Sequence, residues 1–211
     1  MFGFDLVRRP LPGYDGAMAS DAGFALFATA LGDCAVAWNE LGLTGVWLPD
    51  TSAGRLRSRL TRRSPRVLEA LPPAPVAAAI AAVKRLLAGE RTDLLDIRID
   101  DSGLDGFDRR VYAAAREIAP GRVATYATLA ARAGGVASAR AVGQSLGRNP
   151  FPIVVPCHRV VAADGELGGF SAPGGSATKR RLLRIENARL EGPADLFDSS
   201  ETAAAGRAPS A

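Results

Sequence analysis

The segment from Asn149 to Val160, Asn-Pro-Phe-Pro-Ile-Val-Val-Pro-Cys-His-Arg-Val, concentrates the groups with which this chain could do chemistry. It holds Cys157, one of two cysteines, followed directly by His158, the only histidine, and by Arg159. A thiol of ordinary pKa, about 8.5, is mostly protonated at neutral pH, so nucleophilic work needs a base, a cation or a helix N-terminus to generate thiolate. His158 and Arg159 are the suppliers at hand. Neighbouring side chains rarely face each other, so His158 is expected to reach the sulfur through a bridging water. Pro150, Pro152 and Pro156 fix φ and remove amide donors, and are expected to hold the backbone extended and present Cys157 rigidly.

A histidine acting as a base needs an orienting partner, usually a carboxylate. The spacing predicts a helix from about Thr178 to Leu190, with Glu186 three or four residues from Leu182, Leu183 and Leu190 and so on the apolar stripe. A carboxylate there is costly without a partner. Two readings stand: Glu186 pairs with a structural arginine, or it orients His158 as the third member of a triad.

Upstream, Thr125 can cap a short helix from Tyr126 to Ala133, Gly134-Gly135 supplies a turn, and Ser138 can cap a second helix to about Arg148. In that helix Ala139, Val142 and Leu146 are expected to face inward. The opposite face carries Arg140, Gln144 and Arg148 at i, i+4 and i+8, with the small Ala141 and Ser145 beside them. Small residues permit close approach to a groove, and arginines contact phosphate or stack on bases. The net charge is only +4, but no acidic residue occurs between Glu117 and Asp164, a window holding Arg122, Arg132, Arg140, Arg148 and Arg159. That absence favours a polyanionic partner.

With 211 residues, 47% hydrophobic, the chain can form one substantial core or two small ones. Short apolar runs from Phe24 to Leu48 predict a three-stranded meander, with Cys34 a small buried hydrophobe at the start of its second strand. Arg55 to Arg63 is basic and weakly patterned. A helix is expected through Val76, Ile80, Val83, Leu86 and Leu87, and a strand over Leu94 to Ile99. The polar stretch from Asp100 to Gly106 reads as a linker, followed by a helix with Phe107, Val111, Ala114, Ala115 and Ile118 inward and stopped by Pro120-Gly121. The tail 192–211 is expected to be disordered. No leader or membrane span is read, which predicts a cytoplasmic protein with no membrane partner. Two cysteines and one histidine argue against a disulfide framework and against zinc, so no metal and no cofactor is expected.

Taken together, Pro156-Cys157-His158-Arg159-Val160, Ser138 to Gly143, Asn149-Pro150, Thr125-Tyr126 and the run from Lys179 to Glu186 resemble the O6-alkylguanine-DNA alkyltransferases, over Phe107 to about Arg189. Leu43 to Trp47 is similar to that family's β-rich first domain. The resemblance implies an α+β fold: a β-rich, RNase H-like N-terminal domain over 1–100, then a mostly helical catalytic domain with a helix-turn-helix over 101–191. It implies a partner, double-stranded DNA containing O6-alkylguanine, with O4-alkylthymine a candidate second substrate, and a monomer as the default state. The alkyl group passes once and irreversibly to Cys157, with His158 and Glu186 as the base relay, Asn149 bracing the loop and Tyr126 assisting base rotation and supplying a proton. Arg140 enters the base stack, in the minor groove, while Thr125, Tyr126, Ala141, Gln144, Ser145 and Arg148 contact DNA. Val160, Phe170, Ser171, Tyr126 and Lys179 surround the flipped base. Ser176 stands where the family usually has an apolar residue, which bears on the wall of the pocket.

Three rivals predict different things. A non-catalytic relative that flags lesions for other repair factors would lack the cysteine. A transcriptional regulator would dimerise and read the major groove, for which Ala141, Gly143 and Ser145 offer few side chains. A Cys–His hydrolase would turn over, and it leaves the acid-free window unexplained.

Overall fold

A computed structural model describes residues 22–63, 67–134 and 138–188. The expected tail and Leu190 lie outside these residues. The meander forms as expected: β1 (Gly23–Thr29), β2 (Gly32–Asn39) and β3 (Gly42–Trp47) pair antiparallel in the order β1-β2-β3. Asn39 shapes its second turn, its Oδ1 accepting from the amides of Leu41 and Gly42. Consecutive residues Cys34 to Trp38 of β2 are all buried, so both faces of this strand are covered. Phe24, Ala35, Ala37 and Trp47 pack on one side with Leu56 and Leu60. Cys34 is buried, and burial pushes its thiol up to about 11, so it is the inert small hydrophobe that was expected.

Leu56 and Leu60 belong to α1 (Ala53–Arg63), which takes the place of the weakly patterned stretch. Two apolar residues one turn apart suffice to anchor it, because each fully buried leucine contributes about 1.5–3 kcal/mol. Following it, α2 (Ala74–Leu87) begins at Pro73, with Pro75 in its first turn where a missing amide costs nothing. Val76, Val83, Leu86 and Leu87 are buried, and Ile80 is half-buried. The expected strand over Leu94 to Ile99 does not form: only a bridge from Ile99 to Leu43 remains. Leu94 and Ile97 are buried three residues apart, with Leu95 and Asp96 exposed between them, a spacing that does not match the period-two alternation of a strand, and the backbone turns instead of extending.

The rest of the chain forms α3 (Gly106–Arg116), β4 (Ala124–Thr125), α4 (Tyr126–Arg132), α5 (Ala139–Gly147), a 3-10 turn over Cys157–Arg159, β5 (Val160–Val161) and α6 (Gly175–Ile185). β4 and β5 pair in parallel. Asp105, Thr125 and Ser138 cap α3, α4 and α5, each side chain accepting an amide three residues on. α6 starts three residues earlier than the spacing predicts and stops at Ile185, so Glu186 is its C-terminal cap instead of an interior position. Asn187 turns the chain there at φ 52, a left-handed value asparagine tolerates.

One buried cluster joins the halves, running from Val36 and Trp38 of the sheet through Val83 and Leu86 of α2 to Val111, Ile118, Leu129, Leu146, Val155 and Cys157. Arg181 of α6 also reaches across, donating to the carbonyls of Ala30 and Leu31 at the β1–β2 turn. The fold is therefore mixed α and β, with a small antiparallel sheet on which the helices close. Cys157 lies at the edge of this shared core.

Candidate active site

The segment leading into Cys157 is not the extended rod expected from its prolines. It makes a tight turn, closed by the Val155 amide donating to the Phe151 carbonyl at 2.8 Å, with Ile153 at φ 76. A β-branched residue in the left-handed region is strained, and the surroundings must hold it there. Asn149 does much of this: its Oδ1 accepts from the Phe151 amide at 2.8 Å, and its Nδ2 donates to the Val155 carbonyl at 2.9 Å. The same Nδ2 lies 3.3 Å from Cys157 Sγ. One side chain thus braces both ends of the turn and touches the sulfur.

Cys157 is 8% exposed. Burial raises its thiol pKa, opposed by the hydrogen bond from Asn149 and by the charge of Lys179. The resting sulfur is therefore a thiol that needs a base.

His158 is fully buried, and its Nε2 lies 2.9 Å from Glu186 Oε1. Burial lowers the imidazole pKa against the pull of Glu186, so the ring is neutral. An ionised carboxylate only accepts, hence Nε2 carries the proton and Nδ1 carries the lone pair. Nδ1 is buried and has no hydrogen-bond partner among the described residues, as an available base requires. Glu186 meets both partners that the sequence offered it, because Arg159 Nε and Nη2 also donate to it, each at 2.8 Å. Burial works to raise the carboxyl pKa, but the bonds and charge supplied by His158 and Arg159 outweigh it and bring it to about 2. Arg159 donates further to the Ile118 carbonyl. It is a buried counter-ion for the carboxylate, which corrects the expectation that it supplies positive charge to the thiol. Gly121, at φ 81, lets the chain pass this cluster: a Cβ there would stand 2.9 Å from the Glu186 carbonyl oxygen.

Lys179 is fully buried and donates to the Val160 carbonyl at 2.6 Å. Its ammonium stands 5.9 Å from the centre of the Tyr126 ring, and burial brings its pKa down to about 8. Tyr126 is half-buried. Burial and then the proximity of Cys157 raise its phenol pKa, which keeps the hydroxyl a proton donor. Gly168, at φ 62, packs against this ring, where an added Cβ would come within 3.2 Å of the hydroxyl.

On α5 the expected faces are partly corrected. Val142 and Leu146 point inward, but Ala139 is exposed, and Ser145 is fully buried instead of lying beside the outer face. The Ser145 carbonyl accepts from Tyr112 Oη at 3.1 Å, which draws that side of α5 against α3. Arg140 and Gln144 are exposed, Ala141 is half-exposed, and Arg148 is exposed but held by Asp108 at 3.0 Å. Thr125 is occupied as the α4 cap. Phe170 and Ser171 line a cleft of about 910 Å³ together with Cys157, Pro150 and Pro152. Ser176 is not in that wall: it is exposed in the first turn of α6. The opposite wall, from Thr44 to Leu48 with Arg59, Arg62 and Arg63, was missed in the sequence, although the arginines stand out once Leu56 and Leu60 are seen as a helix anchor.

A buried thiol braced by an amide, followed by a neutral histidine and a carboxylate–arginine pair, defines a protein with one candidate cysteine nucleophile on a mixed α and β fold. Residues 106–188 match the family model described as 6-O-methylguanine DNA methyltransferase, DNA binding domain. The methylated-DNA–protein-cysteine methyltransferase of Mycobacterium tuberculosis is 39% identical over 126 residues, 60% of this chain and 74% of that protein. A protein of Thermus thermophilus named DNA base-flipping protein is 39% identical over 153 residues, 72% of this chain and 99% of that one. Among solved structures, Mycobacterium tuberculosis OGT in complex with DNA superposes with a TM-score of 0.63 at 32% identity, covering 83% of this chain and 99% of that chain. The chain belongs to the 6-O-methylguanine-DNA methyltransferase family.

Proposed function

We propose that this protein repairs DNA by direct reversal, moving the alkyl group of O6-alkylguanine in duplex DNA irreversibly onto its own Cys157. The observation that carries the reading is a buried Cys157 followed by a buried, neutral His158 whose Nε2 is committed to Glu186 and whose Nδ1 has no partner among the described residues. His158 takes the thiol proton through one bridging water. Sγ then attacks the alkyl carbon, an S–C bond forms, and the C–O6 bond breaks with its electron pair going to guanine. Tyr126 supplies the proton that lets guanine leave neutral, and recovers one from solvent. The product is a thioether, which the site has no means to cleave, so each molecule reacts once.

Recognition follows from the α4–α5 pair, read as a helix-turn-helix, with Arg140, Ala141 and Gln144 toward the minor groove and Arg140 filling the stack as the base leaves it. Flipping costs a few kcal/mol, least for a poorly pairing lesion, which adds selectivity. The flipped base lies against Phe170, Ser171 and Tyr126, with Val160 held in place by Lys179. Residues 1–100 are read as the RNase H-like unit and 101–191 as the catalytic unit. No helix among the described residues is long and apolar enough to cross a membrane. Cys157 sets this chain apart from a protein that only binds and flags lesions.

Intact-mass spectrometry after incubation with excess duplex carrying one O6-methylguanine tests the reading. Wild type gains one methyl group and no more, and Cys157→Ala gains none. An unmodified wild type that still binds the lesion would replace repair with damage sensing.

A further inference from the structure

The α1 helix carries more positive charge than its own packing answers. Its 11 residues hold five arginines, Arg55, Arg57, Arg59, Arg62 and Arg63, and no aspartate or glutamate. Arg57 pairs with Glu69, and Arg59 with Asp50. Arg55, Arg62 and Arg63 are exposed and make no side-chain hydrogen bond or ion pair among the described residues. Positions 55, 59, 62 and 63 are spaced at i, i+4, i+7 and i+8, so these arginines form one row, while Leu56 and Leu60 are buried against the sheet. Like charges so spaced repel. Arg62 and Arg63 at least stand at the negative end of the helix, but Arg55 lies in the first turn, at the positive end, with no acid there to offset it. A row that costs the helix stability points to an anionic partner outside the chain.

This row adjoins the helix that meets DNA. Arg59, Arg62 and Arg63 line one cleft together with Gly147 and Arg148, and Arg148 ends the exposed row of Arg140, Gln144 and Arg148 on α5. The two rows therefore continue into each other across the cleft. Their spacing is fixed by the backbone: the Val46 amide of β3 donates to the Pro150 carbonyl, just past α5, at 2.8 Å. Arg59 in turn ties α1 to the Leu48 carbonyl, just past the end of β3, at 2.9 Å. A helix with its side chains is about 10–12 Å wide and the minor groove about 6 Å. A helix in α5's place thus lies across the groove, and the flanking phosphates run on past its ends.

We propose that Arg55, Arg62 and Arg63 form a second phosphate-binding row, through which the N-terminal half holds the duplex beyond the C-terminal end of α5. The proposal rests on the reading of α5 as the helix that meets DNA. The matched DNA-binding model spans 106–188, so α1 lies outside it. Arginine suits the task because its guanidinium stays charged and its planar donors match phosphate oxygens. Such contacts carry no sequence information; they fix the register of the protein on the duplex while the base is rotated out.

The test is the salt dependence of binding to an unmodified duplex, read by fluorescence anisotropy. Each phosphate neutralised adds about 0.9 to the slope of log K against log salt concentration. An Arg55→Gln, Arg62→Gln, Arg63→Gln triple variant is expected to show a slope shallower by roughly 2–3 and binding weaker by roughly ten-fold, and each single variant a slope shallower by about 0.9. Lysine at the same three positions is expected to keep the slope. So is an Arg85→Gln, Arg91→Gln, Arg98→Gln control, which removes the same charge from exposed arginines outside this cleft. An unchanged slope in the α1 glutamine variants overturns the proposal. An equal change in the control also overturns it, by showing a general field effect, and so does a slope that lysine does not keep, by showing a structural role. Wild type that binds no duplex refutes the DNA reading itself, whereas wild type that binds with a slope indifferent to α1 refutes only the second row.

Discussion

Replacing Glu186 with glutamine tests whether the relay is also a structural keystone. The carboxylate is 4% exposed and is held by three short bonds, one from His158 and two from Arg159. Glutamine keeps the shape but removes the charge, leaving the Arg159 guanidinium buried and uncompensated. Breaking a buried ion pair on one side costs about 3–5 kcal/mol. The sign is definite. A depressed carboxyl pKa stabilises above 4.5, and that contribution disappears as pH falls from 4.5 through about 2. His158, also depressed but by burial, adds to the loss below its ordinary value of 6.5, where the unfolded chain takes up the proton first. Urea unfolding at pH 7 should therefore show Glu186→Gln shifted down by about 1.5–2.5 M, taking a slope near 2 kcal/mol per M. Wild type should also lose stability between pH 4.5 and 2, a limb that the variant lacks. A shift worth less than about 1 kcal/mol, or a variant retaining the full acid limb, would refute the assignment of Glu186 as the partner of both cations.

Arg140→Ala is expected to slow transfer from duplex DNA by an order of magnitude or more while leaving reaction with the free O6-methylguanine base unchanged, because Arg140 acts on the helix and not on the chemistry; equal loss on both substrates counts against it. Ser145→Ala should leave duplex affinity and transfer unaffected and be neutral or slightly stabilising by chemical denaturation, since the Ser145 hydroxyl is buried with no partner; a marked loss of affinity would return Ser145 to the DNA face. The single-turnover rate should show no loss centred at pH 6.5, because burial holds His158 neutral below its ordinary pKa and the Cys157 thiol protonated above its own; a change near pH 8 belongs to Lys179. A fall centred at 6.5 would mean that His158 titrates as a solvent-exposed residue.

The local features of this protein could be read from its residues alone. The β1–β3 meander follows from short apolar runs broken at Gly32-Asp33 and Asn39-Gly42, and the starts of α4 and α5 from Thr125 and Ser138, because turns and caps are settled by groups within a few residues of each other. Cys157, His158 and Glu186 were likewise visible as reactive or costly residue types. Tertiary structure decided what depends on neighbours distant in sequence. Ser145 is drawn inward by Tyr112, 33 residues away, so helical spacing alone put it on the wrong face. Arg159 looked like an activating cation for the adjacent thiol, yet it turns to Glu186, 27 residues on, because a guanidinium in the core must find its counter-charge. Leu94 and Ile97 are apolar and buried, but three residues apart on a turning backbone, so the apolar run that suggested a strand makes only the Ile99–Leu43 bridge. Three of the arginines that line the cleft with Cys157, Arg59, Arg62 and Arg63, belong to α1, about a hundred residues upstream, where two leucines gave too little periodicity to announce a helix. Residue types thus disclosed which chemistry was on offer, while packing between the two halves decided which charges meet and what shape the cleft beside the sulfur takes.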